Sequence, residues 1–241
     1  MDKDFMYLNY LFATAEKNYI NNLYREIKKE GLRVNSFLDV GCYTGDNTLT
    51  LAKACNAKII YGLDVNRKAM QIASSKGIRV IYQDISKKRW NIEDNKFDFI
   101  YSNQVIEHLY SVDNYMKNIK RILKDKGYAL ISTENLSGWH NCFALLLGYQ
   151  PFSMTNICIK RWSVGNPFSI NKGGPHDPYL VHRAVFTYCA LIQFLKLYDF
   201  KIVKSITAGY YPLPNNKIGN FMAKIDRKHS VYIAALVKNN K

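Results

Sequence analysis

Ser36 to Thr48, reading Ser-Phe-Leu-Asp-Val-Gly-Cys-Tyr-Thr-Gly-Asp-Asn-Thr, constrains the fold more than any other stretch of this chain. A short apolar run suited to a buried strand meets an acid and two glycines, and an apolar-periodic helix follows from about Asp46. Gly41 and Gly45 let the backbone turn sharply and approach a ligand closely, while the helix start offers free N–H groups. A P-loop would close on Gly-Lys-Ser/Thr, but this turn closes on Gly45-Asp46, so no lysine reaches for a phosphate. A dinucleotide fingerprint would read Gly-x-Gly-x-x-Gly, whereas here Tyr43 stands between Gly41 and Gly45. Asp39 at the strand end repels a pyrophosphate and suits a ligand carrying an amine or a sulfonium.

The same strand-then-helix text continues. Strands are expected at 58–63, 78–82, 97–102 and 128–133, with helices from about Asn66 and from Asp113 to Leu123. This is βαβαβ followed by a second half, hence a parallel sheet. Residues 1–34 carry apolar positions at a helical period and form an N-terminal helical segment. Residues 35–134 form the cofactor-binding half. Over 135–182 the alternation stops among glycines, prolines and aromatics, and a loop-rich stretch of that length is expected to be an inserted cap. Residues 183–241 resume with a helix after Thr187, a strand at 200–206, a loop over 209–220 and a strand at 232–237. A loop joining the last two strands implies an antiparallel pair.

The form Asp-Val-Gly-Cys-x-x-Gly resembles the first motif of class I S-adenosylmethionine-dependent methyltransferases, and further residues fall in register with it. Asp64 lies at the end of the second strand, where an acid accepts ribose hydroxyls. The resemblance implies that Asp84 contacts the adenine, with Ile85 as its apolar neighbour. The fourth strand, Phe97-Asp98-Phe99-Ile100-Tyr101-Ser102-Asn103, is similar to the family's strand and ends on Asn103. The family therefore implies an α/β, Rossmann-like sheet of seven strands, mostly parallel with an antiparallel last strand and helices on both faces. It implies S-adenosylmethionine as cofactor, held by Asp39, Gly41, Tyr43, Gly45, Asp64, Asp84, Ile85 and Asn103. Tyr43 departs from the middle glycine of many members and is expected to line the methionine end.

His108 follows the fourth strand, where the methyl group would be presented, and can take a proton from an acceptor hydroxyl. His140, after the fifth strand, is the second catalytic candidate. Gln104-Val-Ile-Glu107-His108 also resembles the Glu-x-x-Glu-His metal segment of polyprenyl-benzoquinone O-methyltransferases and of small-RNA terminal-ribose methyltransferases. Gln104 replaces the first acid, so no metal is expected. His182-Arg183 and Phe186-Thr187 resemble a run before the penultimate helix in one branch of methyltransferases, with a structural role. The loop aromatics Tyr210 and Tyr211 are placed to flank an apolar substrate.

The net charge of +15 is uneven: residues 136–241 hold thirteen Lys/Arg against three Asp/Glu. Such a surface attracts nucleic acid, anionic headgroups or an acidic metabolite. No Asn/Asp-Pro-Pro-aromatic sequence or Pro-Cys nucleophile follows the fourth strand, which disfavours base methylation. No apolar run approaches the roughly 20 residues of a membrane span, and no secretory signal is legible. The five cysteines are scattered and odd in number, as expected of reduced thiols in a cytoplasmic protein. The expected activity is O-methylation of a small molecule, lipid or glycan. RNA ribose methylation is the alternative within the enzymes, and a cofactor-binding regulator without transfer activity the one outside them. The oligomeric state stays open.

Overall fold

The computed structural model describes residues 3–169, 177–213 and 217–241, with side chains from residue 14 onward. Among them β1 (Ser36–Val40), β2 (Ile59–Asp64), β3 (Arg79–Tyr82), β4 (Phe97–Asn103), β5 (Leu123–Glu134), β6 (Phe200–Ala208) and β7 (Tyr232–Asn239) form one sheet. Its order is β3-β2-β1-β4-β5-β7-β6, as expected of seven strands in this class. β1 pairs in parallel with β2 and β4, β2 with β3, and β4 with β5, whereas β7 runs antiparallel to both β5 and β6. The chain runs outward from β1 to β3 and returns to β4 beside β1. That reversal opens a crevice at the carboxyl ends of β1 and β4, where ligands of open α/β sheets bind.

Helices cover both faces. α2 (Asp46–Ala54), α3 (Arg67–Ser75), α4 (Val112–Ile122) and α6 (Tyr188–Leu197) accompany the strands. Asn66, Ser111 and Thr187 cap α3, α4 and α6 by accepting a backbone N–H three residues on. The N-terminal segment is one helix, α1 (Lys3–Lys29). Its buried Ala15, Tyr19, Leu23 and Ile27 recur every four residues and pack with Phe37, Phe99, Tyr101 and Leu236 of the sheet. A fully buried leucine or isoleucine contributes about 1.5–3 kcal/mol, so this stripe is enough to hold the helix on the sheet. Lys126 and Gly127 lie inside β5 where its register with β4 shifts: Leu123 pairs with Phe97 and Tyr128 with Phe99.

Two local expectations are corrected. The connection read as a loop over 209–220 contains α7 (Lys217–Ile225) between β6 and β7. Its first turn includes Gly219, which is buried, and helices carry few glycines, so the pattern was obscured. The antiparallel pairing of β6 with β7 holds although the reason given for it does not. The inserted stretch is also more ordered than a loop, with α5 (Trp139–Leu146) and 3-10 turns at Phe152–Met154 and Pro178–Leu180. Gly173, Gly174, Pro175 and His176 of that stretch lie outside the described residues.

Candidate active site

The turn after β1 is shaped by its glycines and clamped by an acid. Gly41 and Gly45 have φ of +82° and +84°, and a Cβ on Gly41 would come within 2.6 Å of Val105, so both positions require glycine. Asp64 at the end of β2 reaches across: one carboxylate oxygen accepts the Tyr43 N–H at 2.8 Å, and the other accepts the Val65 and Asn66 N–H groups at 2.8 Å each. A carboxylate offers about four lone-pair sites. One therefore remains for a ligand hydroxyl, on the oxygen that faces Tyr43. Lys76 reaches this turn but donates to the Thr44 carbonyl and to Asp46, both below 3 Å, so its charge is neutralised there. With Lys76 so engaged, the acids of this turn suit a nucleoside carrying a positive centre better than a pyrophosphate.

Asp39 is 3% exposed and accepts the Thr48 hydroxyl at 2.6 Å on one oxygen, fastening β1 to α2. Burial pushes its carboxyl up to about 7, so a good part of its charge is lost at neutral pH. Tyr43, held at φ +46°, is 61% exposed and is not among the residues lining the cavity described below. Asp84 accepts the N–H and hydroxyl of Ser86 on one oxygen. The Ile85 side chain packs against the core while its carbonyl accepts the Trp90 indole N–H. The β3 end lies against the Asp64 carbonyl through the Gln83 N–H at 3.3 Å, which brings Asp64 and Asp84 to one side of the crevice.

Past β4 the acceptor side begins. Asn103 accepts the Ser132 hydroxyl at 2.7 Å, which fixes its amide at the carboxyl end of the strand. Gln104 adopts φ +53°, and its buried side-chain nitrogen makes no hydrogen bond. A 3-10 turn, Ile106–His108, then presents Glu107 and His108. His108 Nδ1 lies 3.3 Å from the Val181 carbonyl, and His182 Nδ1 lies 2.7 Å from the Ser153 carbonyl. Carbonyls only accept, so each Nδ1 carries a proton, and the neutral His108 ring keeps a lone pair on Nε2. The two rings meet edge to face at 4.8 Å. Glu107 is fully buried, and neither carboxyl oxygen has a hydrogen bond. Burial raises its pKa to about 8; burial and the neighbouring His182 lower that of His108 to about 4.

Ligand atoms of Glu107, His108 and His182 all lie within 4.8 Å of one another, a set able to hold a metal ion. Histidine ligands are characteristically oriented by a second hydrogen bond on the other ring nitrogen, as both are here. His182 had been read as structural. Nothing in its spacing from His108 announces the contact, which is made by the cap: the Arg183 and Ala184 N–H groups donate to the Glu107 carbonyl at 2.6 and 3.1 Å.

These groups open into a cavity of about 730 Å³ between the carboxyl ends of β4 and β5, α1, α5 and the cap. Its walls are largely aromatic and aliphatic, with Tyr19, Phe143, Leu147, Tyr149, Phe152, Trp162, Phe168 and Tyr232 among them. Its polar members include Asn103, Gln104, Glu107, His108, Glu134 and His140. His140 packs against Phe152 and Tyr211, its Nδ1 has no partner, and burial lowers its pKa to about 4. The cap aromatics Tyr149, Phe152, Trp162 and Phe168 were not anticipated individually, since an irregular segment gives no periodicity from which to assign facing side chains.

Residues 13–205 match the model of a family described as a methyltransferase domain. Together with the crevice and the strand order, this places the chain in the class I S-adenosylmethionine-dependent methyltransferases, with S-adenosylmethionine as cofactor. Among sequence relatives it is similar to the ubiquinone biosynthesis O-methyltransferase of Glaesserella parasuis, 31% identical over 126 residues that cover 48% of this chain and 50% of the relative. It is also similar to the mitochondrial protein of that name in Dictyostelium discoideum, 29% identical over 147 residues, 55% of this chain and 44% of the relative. The chain thus spans about half the length of these relatives. The fold is shared with an S-adenosylmethionine-dependent methyltransferase of Mesorhizobium loti, with a TM-score of 0.56, 16% identity and coverage of 89% and 95% of the two chains. The N-methyltransferase NodS of Bradyrhizobium japonicum has a TM-score of 0.56, 14% identity and coverage of 94% and 97%.

Proposed function

We propose that this protein methylates a hydroxyl oxygen of a small, predominantly apolar acceptor bound in the cavity beneath the cap. The observation that carries this reading is that the cavity joins an apolar wall to a histidine with a free, unprotonated Nε2 at the carboxyl end of β4. A glycan would need many polar partners, and these walls favour an aromatic or isoprenoid-like molecule instead. The sequence relatives named for ubiquinone biosynthesis fit that chemical class. When bound, S-adenosylmethionine supplies an electrophilic methyl group on a sulfonium. The protein's share is to hold Asp64 and Asp84 on the nucleoside, align the acceptor oxygen, exclude water and receive its proton. His108 Nε2 receives it, with Nδ1–H held by Val181 so that the ring keeps one orientation. The free cysteines, Cys42 and Cys55 of them buried, accord with a reducing compartment such as the cytoplasm.

A second reading is favoured by one specific observation, the convergence of Glu107, His108 and His182. A divalent ion there would draw on the same His108 Nε2 lone pair and would lower the pKa of an acceptor hydroxyl. One experiment separates the two. Labelled S-adenosylmethionine is incubated with prenylated catechols and phenols, with and without chelator, and label is counted in the organic extract. The first reading predicts transfer that chelator leaves unchanged. Loss with chelator and recovery with a divalent ion would assign the triad to a metal, and no transfer to any hydroxylated apolar acceptor would refute the proposed acceptor class.

A further inference from the structure

Two helices leave large apolar side chains in water, and one of them borders the cavity. On α7, Ile218, Phe221 and Ile225 recur at helical spacing and are 61%, 60% and 64% exposed, while Gly219 and Ala223 are buried on the opposite face. Lys217 and Lys224 lie along the edge of that exposed face, and Arg227 and Lys228 follow it directly, all four exposed. On α5, Leu146 and Leu147 are 79% and 68% exposed, with Phe143 beside them. The helices are pinned together at one end: the Trp139 indole N–H donates to the Asp226 carboxylate at 3.1 Å, and its ring stacks on His229 at 4.2 Å. Phe143 and Leu147 also line the cavity, so the exposed α5 side of this surface is continuous with its rim.

We propose that the α5–α7 face docks on the surface of an anionic lipid bilayer. An apolar stripe edged by lysine and arginine is the pattern of a helix lying in the membrane interface, its apolar side chains at the headgroup boundary and its cations toward the phosphates. Charge complementarity selects this occupant: the cations at α7 belong to the segment 136–241, with thirteen Lys/Arg against three Asp/Glu. Because Phe143 and Leu147 belong both to the docking face and to the cavity rim, an apolar acceptor dissolved in the bilayer would enter without crossing water. The docking itself requires neither cofactor nor acceptor.

Co-sedimentation tests this with vesicles of phosphatidylcholine, alone or mixed with phosphatidylglycerol, and the full chain without cofactor. The protein is expected to pellet with the mixed vesicles, to be released by high salt, and to remain in solution with phosphatidylcholine alone. Phe221→Asp/Ile225→Asp should abolish pelleting. Lys217→Gln/Lys224→Gln/Lys228→Gln, which leaves the apolar face intact, should weaken it about a hundredfold, since each cation near such a surface is worth about 1 kcal/mol. Calorimetric binding of S-adenosylhomocysteine by the same samples separates a lost fold, or a failed methyltransferase reading, from a failed docking surface. No pelleting with the mixed vesicles, pelleting indifferent to salt and lipid charge, or a salt-insensitive dimer dispersed by Phe221→Asp would each overturn the proposal.

Discussion

Asp64→Asn separates the clamp on the turn from the general stability of the sheet. In the native structure the carboxylate takes three backbone N–H groups at 2.8 Å, from Tyr43 on one oxygen and from Val65 and Asn66 on the other. The substitution replaces one acceptor oxygen by an NH₂ donor. The two bonds to Val65 and Asn66 are met by the remaining carbonyl, so the amide nitrogen is driven toward Tyr43, where donor faces donor. Tyr43 is exposed, so its N–H is rehydrated and global stability should fall by only about 1 kcal/mol. The cofactor loses more, because a ribose hydroxyl would donate to that same oxygen and a hydrogen bond to a charged group is worth about 1.5–3 kcal/mol. Affinity for S-adenosylhomocysteine should therefore fall about 10- to 150-fold. Titration calorimetry gives the affinity and urea unfolding the stability. Unchanged affinity, or a stability loss that accounts for all of the affinity loss, would refute this account of Asp64.

Once an acceptor is found, His108→Ala should slow transfer by about 10² to 10⁴ with cofactor affinity retained, as expected for loss of a general base; full activity in single-turnover assays would make the histidine structural. His140 gives a pH prediction. Its pKa is held at about 4, against about 6.5 unfolded, so it contributes stability that is complete above about pH 6.5 and is lost as pH falls toward 4. His140→Gln should flatten that limb of the pH–stability curve by at most about 3 kcal/mol; an unchanged limb in urea titrations would contradict the burial argument. Despite the basic surface, labelled methyl should not enter long RNA, and salt-sensitive binding accompanied by transfer would reverse that expectation.

The cofactor crevice was legible in the sequence because it is made of local text. A strand, a turn demanding glycine and a helix are contiguous from Ser36 to Ala54, and Asp64 and Asp84 lie close behind strand ends that periodicity locates. Asp39 shows the limit even there. Its position was read correctly, but that one of its oxygens takes the Thr48 hydroxyl from α2 was not legible. The acceptor side was less legible. His108 meets the Val181 carbonyl, 73 residues away, and His182 meets Ser153, so the cap's path alone brings the two rings together. α7 was hidden by the buried glycine in its first turn.

The crevice at the carboxyl ends of β1, β2 and β4 is expected to deliver a methyl group into the cavity beneath the cap. A crystal structure of the complex with S-adenosylhomocysteine tests it most directly. The account predicts the ribose on Asp64, the adenine beside Asp84 and Ile85, and the sulfur directed past Asn103 toward His108 and the cavity. Sulfur turned away from that cavity, or a ligand bound without contact to Asp64, would contradict it.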